Sequence, residues 1–204
     1  MGGSPTFDMT RREFITLLGA ALASSVSWPL AAHAQERMRR IGVLMNTASD
    51  DQEAQARIAA FLQGLQEAGW SVGRNVGIET RWGGGDNARL RKSAGELVAL
   101  NPDVILAGTG GTVTPVQEVS RSIPIVFAQA IDPVGAGNIE TLAQPNINAT
   151  GFLQFEYSLS AKWLELLREL KPRVKRVGVL RDPGNAAGIG QWAVIQAAAQ
   201  PFEH

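Results

Sequence analysis

Val104-Ile105-Leu106-Ala107-Gly108-Thr109-Gly110-Gly111-Thr112-Val113-Thr114-Pro115 decides the fold. An apolar run with no polar face reads as a strand buried on both sides. It enters a glycine-rich loop, and Thr114-Pro115 suits the cap and first position of a helix. Upstream, Ile41-Gly42-Val43-Leu44-Met45 is a second such run. Asp50 or Asp51 can cap the helix after it, with Glu53 in the first turn. Ile58, Phe61, Leu62 and Leu65 repeat at helical spacing, and Gly69 stops them. Val76, Ile78, Thr80 and Trp82 alternate as in a strand, and Gly83-Gly84-Gly85-Asp86 turns the chain. Leu90, Ala94, Leu97 and Val98 form another helical stripe, closed at Asn101-Pro102. Downstream, Pro124-Ile125-Val126-Phe127-Ala128 reads as a fourth strand, followed by a loop from Gln129 to Gly137. Strands alternating with helices imply βαβ units. The expected class is α/β: a Rossmann-like parallel sheet with helices on both faces.

Farther along, Gln144 to Gly151 reads as a crossing or linker. Ser158 or Ser160 then caps a helix carrying Leu159, Trp163, Leu166, Leu167 and Leu170 on one face, and Pro172 closes it. Lys175-Arg176-Val177-Gly178-Val179-Leu180 echoes Arg39-Arg40-Ile41-Gly42-Val43-Leu44. With the linker upstream, the echo suggests a second α/β lobe starting near Val174. The stretch from there to the last residue holds one strand and one helix, Ala186 to Ala199, and such a unit builds no core alone. The expected organisation is a signal over residues 1–34, a first lobe over 35–150, and a crossover with an incomplete second lobe over 151–204.

The signal is read from order. Arg11-Arg12 precedes an Ala/Gly-rich apolar run from Ile15 to Val26, and Ala32-His33-Ala34 supplies a cleavage site. The run is too short for a spanning helix, which needs ~20 residues. Paired arginines point to twin-arginine export and a soluble periplasmic product.

Composition narrows the chemistry. The 204 residues carry 19 basic and 19 acidic side chains, so no charge footprint marks a nucleic-acid partner. Cysteine is absent, which excludes disulfides, thiolate metal sites and a lipid-bearing cysteine. The two histidines are His33, inside the signal, and His204, so neither a serine triad nor a histidine metal site is expected. No G-x-S-x-G elbow and no helical carboxylate pair at metal spacing occurs, so the chain is not read as an enzyme and no cofactor is expected.

Ligands of open parallel sheets bind at the carboxyl ends of the strands. The candidate contacts are therefore Asn46 and Thr47; Thr109, Gly110, Gly111 and Thr112; Gln129 and Asp132; and Asp182 and Asn185. A helix start with free N–H groups attracts an anion such as a carboxylate. Asp132 and Asp182 suit a ligand amine. Each also has a plain structural reading. Glycines after strands make turns, Asp132-Pro133 caps a following helix, and Asp182-Pro183-Gly184-Asn185 forms a turn.

Several stretches resemble the ABC-transporter substrate-binding protein family related to the tryptophan-binding lipoproteins. They include Asn101-Pro102-Asp103-Val104-Ile105, Asp132-Pro133-Val134-Gly135-Ala136-Gly137 and Lys162-Trp163-Leu164-Glu165-Leu166-Leu167. The likeness runs from about Arg39 to Ala199. It implies a type I periplasmic binding protein fold, whose two lobes close on a small ligand, usually an amino acid, and deliver it to a membrane permease. It also implies that the first three loop groups line one side of the cleft and Asp182 to Asn185 the other. The expected product is a monomeric solute-binding protein of an ABC importer, with weak binding because the second lobe is incomplete. The alternatives are an effector-sensing α/β domain, a small α/β hydrolase or reductase, and a non-functional truncated fragment.

Overall fold

The structure, a computed structural model, describes residues 37–143, 148–182 and 185–199. The export signal, its cleavage site and both histidines lie outside the described residues, as do residues 144–147, 183–184 and 200–204.

Strand β1 (Arg39–Met45) leads into helix α1 (Gln52–Glu67), then β2 (Val76–Trp82), α2 (Asn87–Ala99), β3 (Val104–Ala107), α3 (Gly110–Val119) and β4 (Ile125–Ile131). Strand β5 (Ala149–Phe155) and helices α4 (Leu159–Leu170) and α5 (Ala186–Ala199) complete the order. The five strands form one parallel sheet in the order β2-β1-β3-β4-β5. The described residues from Met38 onward form one compact unit.

Strand alternation builds two cores. Val43 and Met45 point to one face, where Ala54, Ile58 and Phe61 of α1 cover them. Leu44, Ile105, Ala107, Ile125 and Phe127 point to the other, under Leu90, Ala94 and Leu97 of α2 and Val113 and Val116 of α3. Right-handed crossovers demand this split, because the chain leaves β1 in one direction and β2 in the other. Side chains needed on both faces explain why β3, and β1 from Ile41 onward, are apolar.

Helix ends follow their caps. Asp51 accepts from Ala54 N at 2.8 Å, and Gly69 (φ +86°) ends the α1 turn. Asp86 caps α2, one carboxylate oxygen accepting from Ala88 N at 2.7 Å and Arg89 N at 3.0 Å. These backbone bonds hold its carboxyl below the ordinary value of 3.8. A lowered folded-state pKa gives stability that is complete above the unfolded value and lost as pH falls through the folded one. Asp86→Asn is therefore expected to lower Tm at pH 7. The gap from the unaltered chain should close in acid below 3.8, as thermal melts across pH will read.

Four sequence expectations are corrected. Helix α3 starts at Gly110, not Pro115: Thr109 is the N-cap and Pro115 lies inside the helix. The proline removes one hydrogen bond in the second turn, which neighbouring burial of Val113 and Val116 outweighs. Strand β4 runs on to Ile131, so Gln129 is on a strand rather than in a loop. The stretch read as linker contains the start of β5, an edge strand of which only Ala149 is buried. Lys175–Leu180 is not a strand, and Val177, Val179 and Leu180 are exposed. A strand needs a neighbour to satisfy its backbone, and among the described residues none stands beside this one.

Helix α4 buries Ser160 and Leu164. Trp163 meets Phe155 edge-on at 5.7 Å and 72°, while Leu159, Leu166, Leu167 and Leu170 are exposed. Helix α5 packs along α4 and touches α3.

Candidate functional site

Strand order places a topological switch point between β1 and β3, where loops leave the sheet in opposite directions and open a crevice. A cleft of about 450 Å³ occupies that end of the sheet, a size suited to a small metabolite. Asn46 lines it from the loop after β1, and Thr109, Gly110 and Gly111 from the start of α3. Gln129 and Asn138 contribute from β4 and the loop after it, Gln154 from β5, and Asp182 and Asn185 from the approach to α5.

The floor is the first turn of α3. Thr112 N and Thr112 Oγ1 both donate to the Thr109 carbonyl, at 3.1 and 2.7 Å, and Thr109 N donates to Thr112 Oγ1 at 3.2 Å. The amides of Gly110 and Gly111 have no hydrogen-bond partner among the described residues. Unpartnered N–H groups at the positive end of a helix dipole favour an anion.

The wall at Asn46 is held by the triple glycine. Gly83, Gly84 and Gly85 N donate to the carbonyls of Met45, Thr47 and Asn46 at 2.7, 2.9 and 2.7 Å. Gly84 and Gly85 adopt φ of +64° and +74°, where a side chain is strained. The sequence reading treats these glycines as a turn. The structure shows that the turn grips the loop that carries Asn46.

The structure brings Asn46, Thr109, Gly110, Gly111, Gln129, Asp182 and Asn185 to one cleft. Thr47, Thr112 and Asp132 are not among its lining residues. The Thr47 hydroxyl is buried and has no partner among the described residues, and Thr112 is fully buried and bonded to Thr109. Asp132 (φ +42°) folds its own loop. One carboxylate oxygen accepts from Gly135 N at 2.7 Å and the other from Tyr157 N at 3.1 Å, tying the loop to the β5–α4 junction. Burial, then the Asp132 charge, raises the Tyr157 pKa above its ordinary value. Asn185 accepts from Ala187 N at 3.0 Å and so caps α5 while lining the cleft.

The sequence reading misses Arg57, Arg91, Asn138 and Gln154, all of which line the cleft. Arg57 pairs with Glu53, and Arg91 lies 3.4 Å from Glu118, another lining residue. Helical spacing marks Arg91 only as a solvated face; its place beside α3 emerges from the packing of α2 on α3. Carboxamides make up half of the polar lining: Asn46, Asn87, Gln129, Asn138, Gln154 and Asn185. They offer donors and acceptors without net charge. Among the described residues no group of His, Asp and Glu is placed to hold a metal ion.

An α/β lobe with such a cleft at its switch point and free helix amides on the floor has the architecture of a binding-protein lobe. The family model for ABC transporter substrate binding protein matches residues 40–203, and the chain belongs to that family. This is a family of solute-binding proteins, not of enzymes. A tyrosine-binding protein of Clostridioides difficile (strain R20291) is 28% identical over 120 residues, covering 59% of this chain and 34% of that protein. A solved conserved domain protein from Vibrio cholerae aligns with a TM-score of 0.72 and 28% identity, over 82% of this chain and 55% of that one. The solved ABC domain from Streptococcus pneumonia in complex with L-Trp aligns with a TM-score of 0.68 and 23% identity, over 80% of this chain and 54% of that one. The chain therefore spans about a third of the curated relative and just over half of the two solved chains.

Proposed function

We propose that this chain serves an ABC importer as an exported solute-binding protein, holding a small carboxylate-bearing ligand, an amino acid or a close analogue, in the cleft at the switch point. Asn46, Thr109, Gly110, Gly111 and Gln129 act from the first lobe, and Asp182 and Asn185 face them from the start of a second. Thr47, Thr112 and Asp132 shape the surrounding loops. Closure around the ligand presents it to a membrane permease. The partners are that permease and the twin-arginine machinery that delivers the chain to the periplasm, and the protein acts as a monomer without nucleic acid. Among the described residues no helix is long and apolar enough to cross a membrane.

The observation that carries this reading is the pair of unpartnered amides, Gly110 and Gly111, at a helix start facing a metabolite-sized cleft. The relatives named as tyrosine-binding and solved with L-Trp support the ligand class. The test is an NMR titration of the folded chain with an amino-acid panel that includes L-tyrosine and L-tryptophan. Saturable shifts of the Gly110 and Gly111 amides are expected. No response across the panel would overturn the reading.

A further inference from the structure

We propose that Asn138 is a specificity-determining residue of this cleft. Its buried carboxamide oxygen selects an acid that carries a hydrogen-bond donor on the carbon next to the carboxylate. The inference rests on the binding reading above and deepens it.

Asn138 is 2% exposed, and all but one of its hydrogen-bonding groups are engaged. Its backbone N–H donates to the Pro133 carbonyl at 2.8 Å. Its backbone carbonyl accepts from Gln117 Nε2 at 3.0 Å. Its side-chain Nδ2 donates to Thr114 Oγ1 at 3.1 Å. The remaining group, Oδ1, is buried and has no partner among the described residues. Oδ1 lies 3.3 Å from the position a Gly110 β-carbon would take, so it is aimed at the first turn of α3. Asn138 also lines the cleft.

A buried acceptor without a partner is costly to the unliganded fold and is rarely tolerated without a use. Here it stands beside two unpartnered donors, the amides of Gly110 and Gly111. Amides that take a carboxylate and an acceptor close beside them fit a molecule with an anion and a donor on adjacent carbons, as in an α-amino or α-hydroxy acid. A neutral carboxamide accepts from either donor without repelling the carboxylate beside it. An acid lacking that donor would leave Oδ1 orphaned, and sites built on a hydrogen bond reject such analogues strongly.

The experiment titrates the folded chain with L-tyrosine and with 3-(4-hydroxyphenyl)propanoic acid, which differs only by the missing α-ammonium group, following the Gly110 and Gly111 amides by NMR. The propanoic acid is expected to bind at least ~10-fold more weakly. Asn138→Leu keeps the shape and removes the acceptor. It is expected to bring tyrosine down to the level of the propanoic acid, with Tm lowered by no more than about 5 °C, because loss of the Nδ2 bond to Thr114 is partly offset by removal of the unpartnered oxygen. Equal affinity of the unaltered chain for both compounds would overturn the inference while leaving the binding reading intact. So would Asn138→Leu retaining the discrimination. Should that variant not fold, the two-compound comparison on the unaltered chain decides by itself. If neither compound binds, the binding reading falls and the inference with it.

Discussion

Gly151→Ala is expected to lower Tm by about 10 °C, a loss on the order of 3–4 kcal/mol, which thermal or denaturant unfolding will read. The cause is contact with backbone. A β-carbon at Gly151 would stand 2.0 Å from the Phe127 carbonyl oxygen and 2.7 Å from Phe127 N and Cδ2. Phe127 is fully buried in the larger core and pairs with Gly151 across β4 and β5. A flexible side chain could swing aside, but a carbonyl in the ladder cannot, so β5 must move off β4. Gly64→Ala is the control. Gly64 lies inside α1 with nothing within 4 Å of its would-be β-carbon. There alanine should raise stability by roughly 0.5–1 kcal/mol through helix propensity.

Gly110→Ala is expected to weaken ligand binding tenfold or more while shifting Tm by no more than about 2 °C. The new methyl would sit 3.3 Å from Asn138 Oδ1 and 3.4 Å from Ala130 Cβ, on the floor of the cleft. Its neighbours need to give by only a few tenths of an ångström, and alanine suits a helix better than glycine, so the fold tolerates it. A carboxylate bonded to the Gly110 amide has less room to tolerate the same methyl. Parallel NMR titrations and melts separate the two effects. A variant that binds as the unaltered chain does would show that the ligand anion sits elsewhere.

The fold was legible where burial leaves a compositional mark. Ile41–Met45 and Val104–Ala107 are apolar because both faces of each strand are covered, and that requirement is written in the residues themselves. Asp51 and Gly69 bound α1 through local features that local sequence encodes, whereas Asp86, read only as part of a turn, also caps α2. Strand β5 left no such mark, since at the sheet edge only Ala149 is buried and the glycine it needs reads as a turn. Lys175–Leu180 shows the reverse case: a strand-like sequence alone does not make a strand, because pairing is a property of neighbours. Pro115 misdirected the start of α3, as a proline after threonine is the ordinary sign of a first turn.

The site divides in the same way. The carboxyl-end rule found the loops, because topology derives from the order of strands and helices. It did not separate side chains facing the cleft from those, like Thr112 and Asp132, that hold the loops in shape. Asn138 was invisible, since its burial depends on Gln117 and Thr114 from another element.

The uncovered leucines of α4 bear on how the chain behaves in bulk. Leu166 and Leu170 lie open to water on one helix, and a formal net charge of zero supplies no long-range repulsion to keep copies apart. Purification near neutral pH should therefore meet a low ceiling on concentration and late elution from a phenyl resin. Polar replacements at those two leucines, far from the switch point in sequence, would be the means to raise that ceiling.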